Sequence, residues 1–197
     1  MPADVADPTL HILRIRGRAT PASLATALDS PVERITAALR DLESRGLAED
    51  TGKSRLGWKI TANGNGAADS RMTEISPEAQ ALVADHYEFF RKLNDELKQL
   101  CADWQSRTEA QGPEDFVGPL SLIDQQTQRI LAEITTAAPH FAEYSGRFSR
   151  ALSQFTSGSD SHLTGVLVDS YHNIWFECHE CFFITLGRSR KAEEAAN

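Results

Sequence analysis

The sequence lacks the features that mark secreted and membrane proteins. It has only three cysteines, an odd number that does not make a disulfide framework. Cys178 and Cys181 form a CxxC pattern within a helical stretch, where nothing lowers a thiol pKa, so we expect buried cysteines rather than a redox switch. No apolar run approaches the roughly 20 residues of a membrane-spanning helix. The N-terminus has no basic start followed by an apolar stretch, so we expect a cytoplasmic protein without a membrane partner.

Signatures of catalysis and of metal binding are also missing. The chain has no glycine-rich phosphate loop and no nucleophile elbow, and Glu177 and Glu180 lack partner groups for acid–base chemistry. Helical metal ligands are commonly three or four residues apart, whereas His172 and His179 are seven apart. We therefore expect no enzymatic activity, no cofactor and no metal site.

The acidic character of the chain is confined to its C-terminal part. The net charge is −8, yet residues 1–70 carry nine basic and nine acidic side chains. Residues 71–197 carry eleven basic and nineteen acidic ones. Attraction to phosphate acts over about one Debye length, roughly 8–10 Å, so local charge matters more than the total. A nucleic-acid contact is therefore possible only in the N-terminal part, with the acidic part facing away.

The N-terminal part predicts three short helices followed by a hairpin. Apolar residues recur at helical spacing in three stretches, and caps, prolines and glycines mark where these stretches begin and end: Gly17, Thr20, Pro21, Ser30, Pro31 and Gly46. Residues 47–61 then predict two strands joined by a glycine-bearing tip with Lys53 and Arg55. This order of elements predicts a winged helix-turn-helix over residues 1–66, with a two-stranded wing.

Two segments of this part resemble a known family. Residues 38–47 (ALRDLESRGL) and residues 58–64 (WKITANG) are similar to signatures of bacterial winged-helix regulators of the MarR and PadR kind. The similar region covers about a third of the chain. The resemblance implies a DNA-binding transcriptional regulator that contacts double-stranded DNA.

The expected DNA contacts come from the helix caps, the third helix and the hairpin. Arg34 and Arg40 are long enough to reach guanine, Glu33 is able to accept a hydrogen bond from cytosine, and Ala37 offers at most a methyl contact. The full set expected at DNA is Thr20, Ser30, Glu33, Arg34, Thr36, Ala37, Arg40, Lys53, Arg55 and Lys59. The alternative is an adaptor whose winged helix binds a protein partner, with these charges merely solvated.

The remainder of the chain predicts helices and no strand. Residues 62–70 are small and polar, which is typical of a loop or hinge. Helical patterns and loop residues then alternate, with helices expected near residues 77–107, 120–138, 141–155 and 160–187 and a loop over 108–118. The expected fold is mainly α, a winged helix followed by an all-α bundle over residues 67–197. Because operators are commonly palindromic, we expect this bundle to form a homodimer.

The last predicted helix carries the most unusual residues. Residues 169–180, together with residues 90–105, are similar to a group of actinobacterial winged-helix proteins, which implies a regulatory role. One interpretation is a pocket for a small-molecule effector, with four residues on one helical face and two nearby: His172, Trp175, Phe176 and His179, with Trp104 and Asp169. The other is the buried seam of a helical bundle, in which each histidine is hydrogen-bonded.

Overall fold

The computed structural model describes residues 5–188, which are mainly helical with one small antiparallel sheet. The elements in chain order are α1 Ala6–Arg16, β1 Arg18–Ala19, α2 Pro21–Ala27, α3 Val32–Ser44, β2 Ala48–Asp50, β3 Trp58–Ile60, α4 Ala62–Thr73, α5 Pro77–Gln105, α6 Glu114–Ile134, a 3-10 turn Pro139–Phe141, α7 Ala142–Thr156, α8 Ser161–Thr164 and α9 Tyr171–Thr185. Across this described range, no helix has both the length and the apolar character needed to cross a membrane.

The described residues form two compact units. One contains residues 5–74 and 183–188, and the other contains residues 75–182. The boundary expected after residue 66 falls inside α4, and the second boundary falls inside α9, between Phe182 and Phe183.

The first unit packs its helices against a three-stranded sheet. The strand order is β1-β3-β2, with Arg18 opposite Lys59 and Ala19 opposite Trp58. The sequence predicts only the β2–β3 hairpin, because two residues are too few to show strand periodicity. The core consists of apolar side chains from α1, α2, α3 and the sheet: Leu10, Leu13, Leu24, Ile35, Leu39, Leu42 and Trp58.

Of the two helix caps predicted in this unit, one is confirmed and the other is wrong. Thr20 caps α2, and its side chain accepts a hydrogen bond from the backbone of Ser23. Ser30 was expected to cap α3, but Pro31 holds the capping position and no side chain caps this end. The helix starts one residue later than predicted, so Ser30 is too far from the first free amides.

Residues 62–70 form most of α4, so the loop predicted there is wrong. Thr61 caps the helix, and Ala68 and Met72 are buried along it. Ion pairs join α4 to α1: Arg14 Nε lies 2.6 Å from Asp69 Oδ1, and Arg71 pairs with Asp7. Burial and ion pairing therefore stabilise a helix that glycine and asparagine would disfavour on their own.

The second unit is entirely helical in the described range, as expected, but two of its helix boundaries differ from the prediction. α6 begins at Glu114 and runs through Pro119, because Phe116 packs against Trp104 with ring centroids 5.1 Å apart. The single last helix predicted from Asp160 is broken, since α8 ends at Gly165 and α9 begins at Tyr171. The intervening loop is held by α9, where the Asn173 amide donates hydrogen bonds to the Gly165 and Val168 carbonyls at 3.0 and 2.9 Å.

Candidate nucleic-acid interface

The helix α3 presents one apolar face to the core and one polar face to solvent. Its apolar residues Ile35 and Leu39 are fully buried, whereas Glu33, Ala37 and Arg40 are exposed. Arg34 and Thr36 are partly exposed. The Thr36 hydroxyl donates to the Val32 carbonyl at 2.8 Å, so it is engaged within the helix. The predicted contact residues of α3 therefore lie on its accessible side, although the Thr36 hydroxyl is already hydrogen-bonded within the helix.

Arg40 lies at the centre of a cluster that joins α3 to the sheet. Its Nη1 is 2.9 Å from Glu43 Oε2, and its Nη2 is 3.8 Å from Asp50 Oδ2. The guanidinium carbon also lies 4.9 Å from the centre of the Trp58 ring. We call Arg40, Glu43, Asp50 and Trp58 the Arg40 cluster. The charge of Arg40 is thus partly neutralised within the protein.

Other cations near α3 and the sheet are paired as well. Arg45 Nη1 lies 3.0 Å from Asp41 Oδ2 one turn earlier in α3. Lys59 Nζ lies 2.6 Å from Glu49 Oε1 on the neighbouring strand. These pairs are exposed, so each contributes only about 0–1 kcal/mol and can exchange for a phosphate contact.

The tip of the β2–β3 hairpin offers cations that are not paired. Residues 51–57 form a compact turn in which the Lys53 carbonyl accepts hydrogen bonds from the amides of Leu56 and Gly57, at 2.9 Å each. Lys53 and Arg55 are exposed, and neither forms an ion pair with another residue of the described chain. A turn with two free cations is able to follow a phosphate backbone.

Sequence reasoning missed Arg18, an exposed cation of the same sheet. It lies directly opposite Lys59 in the β1–β3 register, on the outward side of the sheet. No sequence pattern indicated this position of Arg18, because the two-residue strand β1 is too short to show strand periodicity. Thr20, two residues further along the chain, uses its side chain to cap α2 and is only partly exposed.

The residues expected to form an effector pocket are partly packed inside the second unit. Trp175 stacks on Phe90 with centroids 4.1 Å apart, and its Nε1 donates to Asn94 Oδ1 at 3.1 Å. His179 is buried, and its Nε2 lies 2.9 Å from the Tyr87 hydroxyl. These contacts match the alternative of a buried seam with hydrogen-bonded side chains.

Asp169 and Trp104 are also engaged in internal contacts. Asp169 makes a two-pronged ion pair with the buried Arg147, with distances of 2.9 and 2.6 Å. Trp104 packs edge-on against Phe155 at 5.2 Å, and the Arg107 guanidinium lies 3.6 Å from the centre of its ring. The effector role of these residues stays a prediction.

The expectation that all four α9 residues share one face is wrong. Phe176 is 51% exposed, whereas Trp175 is 3% exposed. Adjacent residues of a helix point about 100° apart, so Phe176 leaves the buried face that Trp175 occupies. His172 lies four residues before Phe176 and is exposed as well, so these two residues share the outer face of α9.

A surface pocket of about 330 Å³ lies elsewhere in the second unit, between the end of α5 and the start of α6. None of the six residues predicted to bind an effector lines it. Its walls combine apolar side chains with acidic, hydroxyl and amide ones: Leu100, Asp103, Ser106, Gln111, Asp115, Phe116 and Pro119.

The three cysteines are buried and are not joined by disulfides. Burial raises the pKa of Cys101 to about 11 and raises the pKa of Cys178 well above its usual value. Thiols with raised pKa values are poor nucleophiles at neutral pH. Among the residues that the structure describes, no group of three or more metal-binding side chains comes together.

No protein-family model matches the chain, and no curated protein or solved structure is significantly similar to it.

Proposed function

We propose that the protein is a DNA-binding transcriptional regulator whose first unit is a winged helix-turn-helix. One observation carries this proposal: α3 has an exposed polar face, and the nearby hairpin tip has two cations. These cations, Lys53 and Arg55, have no ion-pair partner in the described chain. The order α1-β1-α2-α3-β2-β3, with β3 between the other two strands, supports it. The resemblance of residues 38–47 and 58–64 to MarR and PadR regulators supports the same function.

In this function α3 lies in the major groove and the hairpin tip contacts the neighbouring phosphates or minor groove. Because the exposed cations of α3 and β3 are largely paired, electrostatic affinity depends strongly on Lys53 and Arg55, with Arg18 nearby. Few side chains of α3 are suited to bases, so sequence-dependent DNA shape contributes to specificity. The second unit forms a homodimer in this proposal and carries any response to a small-molecule effector.

DNA binding of a Lys53→Ala/Arg55→Ala variant tests this function. The probe is duplex DNA from upstream of the protein's own gene, titrated by fluorescence anisotropy at several salt concentrations between about 50 and 200 mM. We expect the variant to bind about tenfold or more weakly, and the slope of log affinity against log salt to fall by about 1.8, because two phosphate contacts are lost.

A matched control removes two cations from the second unit, by Lys98→Ala and Arg129→Ala. Both residues are exposed, and the control changes the net charge by the same amount. Equal losses in the two variants, or no binding of duplex DNA by the wild-type protein, would overturn the proposal.

The alternative function is an adaptor that binds a protein partner. The pairing of Arg40 on α3 and of Arg45 directly after it favours this function, because both cations are held by carboxylates. Salt dependence separates the two functions, since binding to a neutral protein surface changes little between about 50 and 200 mM salt whereas DNA binding falls steeply.

A further inference from the structure

We infer that Arg40 is a positioning residue, which fixes the β2–β3 hairpin on α3, and not a residue that contacts bases. On the helical pattern alone, Arg40 was expected at DNA. The structure instead places its guanidinium against residues of both hairpin strands, Asp50 and Trp58. The part of this inference that concerns DNA rests on the proposed function, whereas the part that concerns the hairpin does not.

The position of these partners explains why Arg40 controls the hairpin. Asp50 is the last residue of β2 and Trp58 is the first residue of β3, and the two are opposite each other in the strand register. Arg40 therefore contacts the strand pair next to the hairpin turn, where the chain leaves and re-enters the sheet. Lys53 and Arg55 lie in the turn beyond this pair, so the orientation of the pair sets where the two free cations are held.

Glu43 provides a second connection between α3 and β2. It pairs with Arg40 at 2.9 Å through Oε2, and its Oε1 lies 3.5 Å from the backbone nitrogen of Asp50. The carboxylates therefore do more than neutralise Arg40, because they connect the last turns of α3 to the end of β2. Trp58 is 3% exposed, so the ring under the guanidinium is itself fixed in the core.

This arrangement also predicts the sign of an electrostatic effect. If Arg40 were a DNA contact restrained by Glu43 and Asp50, removing the two carboxylates would release it and strengthen DNA binding. If the Arg40 cluster positions the hairpin, the same change loosens the hairpin and weakens DNA binding, even though it removes two negative charges that repel phosphate.

The first test needs no DNA and compares Arg40→Gln with Arg45→Gln. Both changes remove one exposed cation at or near the C-terminal end of α3, but among the described residues Arg45 forms an ion pair only with Asp41. Hydrogen exchange is measured at the amides of Thr51 and Gly57, which donate to the Gly57 and Lys53 carbonyls of the hairpin turn. We expect about three- to tenfold faster exchange in Arg40→Gln, as loss of an exposed ion pair and a cation–π contact implies, and no change in Arg45→Gln. Equal exchange in the two variants would overturn the inference.

The second test measures DNA affinity of the Glu43→Gln/Asp50→Asn variant. Asn keeps the side-chain oxygen that accepts from the Gly52 amide, so the turn retains this hydrogen bond. We expect binding about three- to tenfold weaker than wild type, by the same contributions. The control Asp41→Asn/Glu49→Gln removes two carboxylates outside the Arg40 cluster, which pair with Arg45 and Lys59, and is expected to bind more tightly.

Tighter binding by both double variants would assign Arg40 to the DNA surface and overturn the inference. If the wild-type protein binds no duplex DNA, the proposed function fails, and the exchange measurement alone decides whether Arg40 positions the hairpin.

Discussion

The guanidinium Nη1 of Arg147 lies 2.8 Å from the carboxylate Oε2 of Glu177, and both side chains are buried. Asp169 pairs with the other side of the same guanidinium at 2.6 Å. Burial alone would lower the pKa of Arg147, but the charges of Glu177 and Asp169 outweigh this effect and raise it. The second unit therefore contains a permanent internal cation that depends on two carboxylates.

Replacing Arg147 by Met is expected to destabilise the protein strongly. The change leaves the buried carboxylate of Glu177 without its cation, which costs about 3–5 kcal/mol in the free energy of unfolding. Urea unfolding measures this loss, and Arg129→Met on the exposed side of α6 serves as the matched control. The triple change Arg147→Met/Asp169→Asn/Glu177→Gln removes all three charges and is expected to recover part of the stability. A loss of under 1 kcal/mol on Arg147→Met alone would contradict this account.

Two glycines of α4 are expected to respond in opposite directions to alanine. A Cβ at Gly64 would collide with the carbonyl of Leu47, whereas a Cβ at Gly66 meets no atom within 4 Å. We expect Gly64→Ala to lower the free energy of unfolding by about 1–3 kcal/mol through the clash. Gly66→Ala should raise it by about 0.5–1 kcal/mol, because alanine restricts the unfolded chain and favours helix. Urea unfolding of the two variants, measured side by side, checks the prediction, and a stabilising Gly64→Ala would refute it.

His140 is expected to make the stability depend on pH. Burial lowers its pKa from 6.5 to about 4 in the folded state. Between these values the unfolded chain binds a proton that the folded protein does not, so stability rises with pH in this window and is lost as pH falls through it. His140→Gln should flatten the curve of unfolding free energy against pH between about 4 and 6.5, by about 1–3 kcal/mol over the window.

Two carboxyls make the stability depend on pH in the opposite direction, so the His140→Gln variant must be compared with wild type. Burial raises the pKa values of Asp124 and Glu143, so the folded protein holds their protons more tightly than the unfolded chain does. Their contribution is present in both proteins and cancels in the difference between His140→Gln and wild type. An unchanged difference across the window would show that His140 has the same pKa in the folded and unfolded states, and would contradict the prediction.

Local signals in the sequence predicted those features of the fold that neighbouring residues determine. The cap at Thr20 is confirmed, since its side chain accepts a hydrogen bond from the backbone amide of Ser23. α4 was missed because its helix depends on distant partners, as in the pairing of Asp69 with Arg14. Glycine and asparagine propensity pointed to a loop, and tertiary packing outweighed it.

In the candidate site, too, contacts between residues distant in the chain could not be predicted from the sequence. The exposed side of α3 followed from its helical period, and the exposed tip with Lys53 and Arg55 followed from the turn residues. The attachment of Arg40 to Asp50 and Trp58 could not be predicted, because it depends on how the hairpin folds back over α3. A sequence pattern identifies which side chains are accessible, and it does not identify which of them are already paired.

The Arg40 cluster also determines which segment of this protein is transferable to another scaffold. A graft of α3 alone would carry Arg40 and Glu43 but leave Asp50 and Trp58 behind, so its arginine would meet a foreign sheet without its second carboxylate or its aromatic support. The exchangeable module therefore extends from residue 32 to residue 60, with helix and hairpin moved together. A chimera built from the helix alone would test a side chain in a conformation that the native protein does not use.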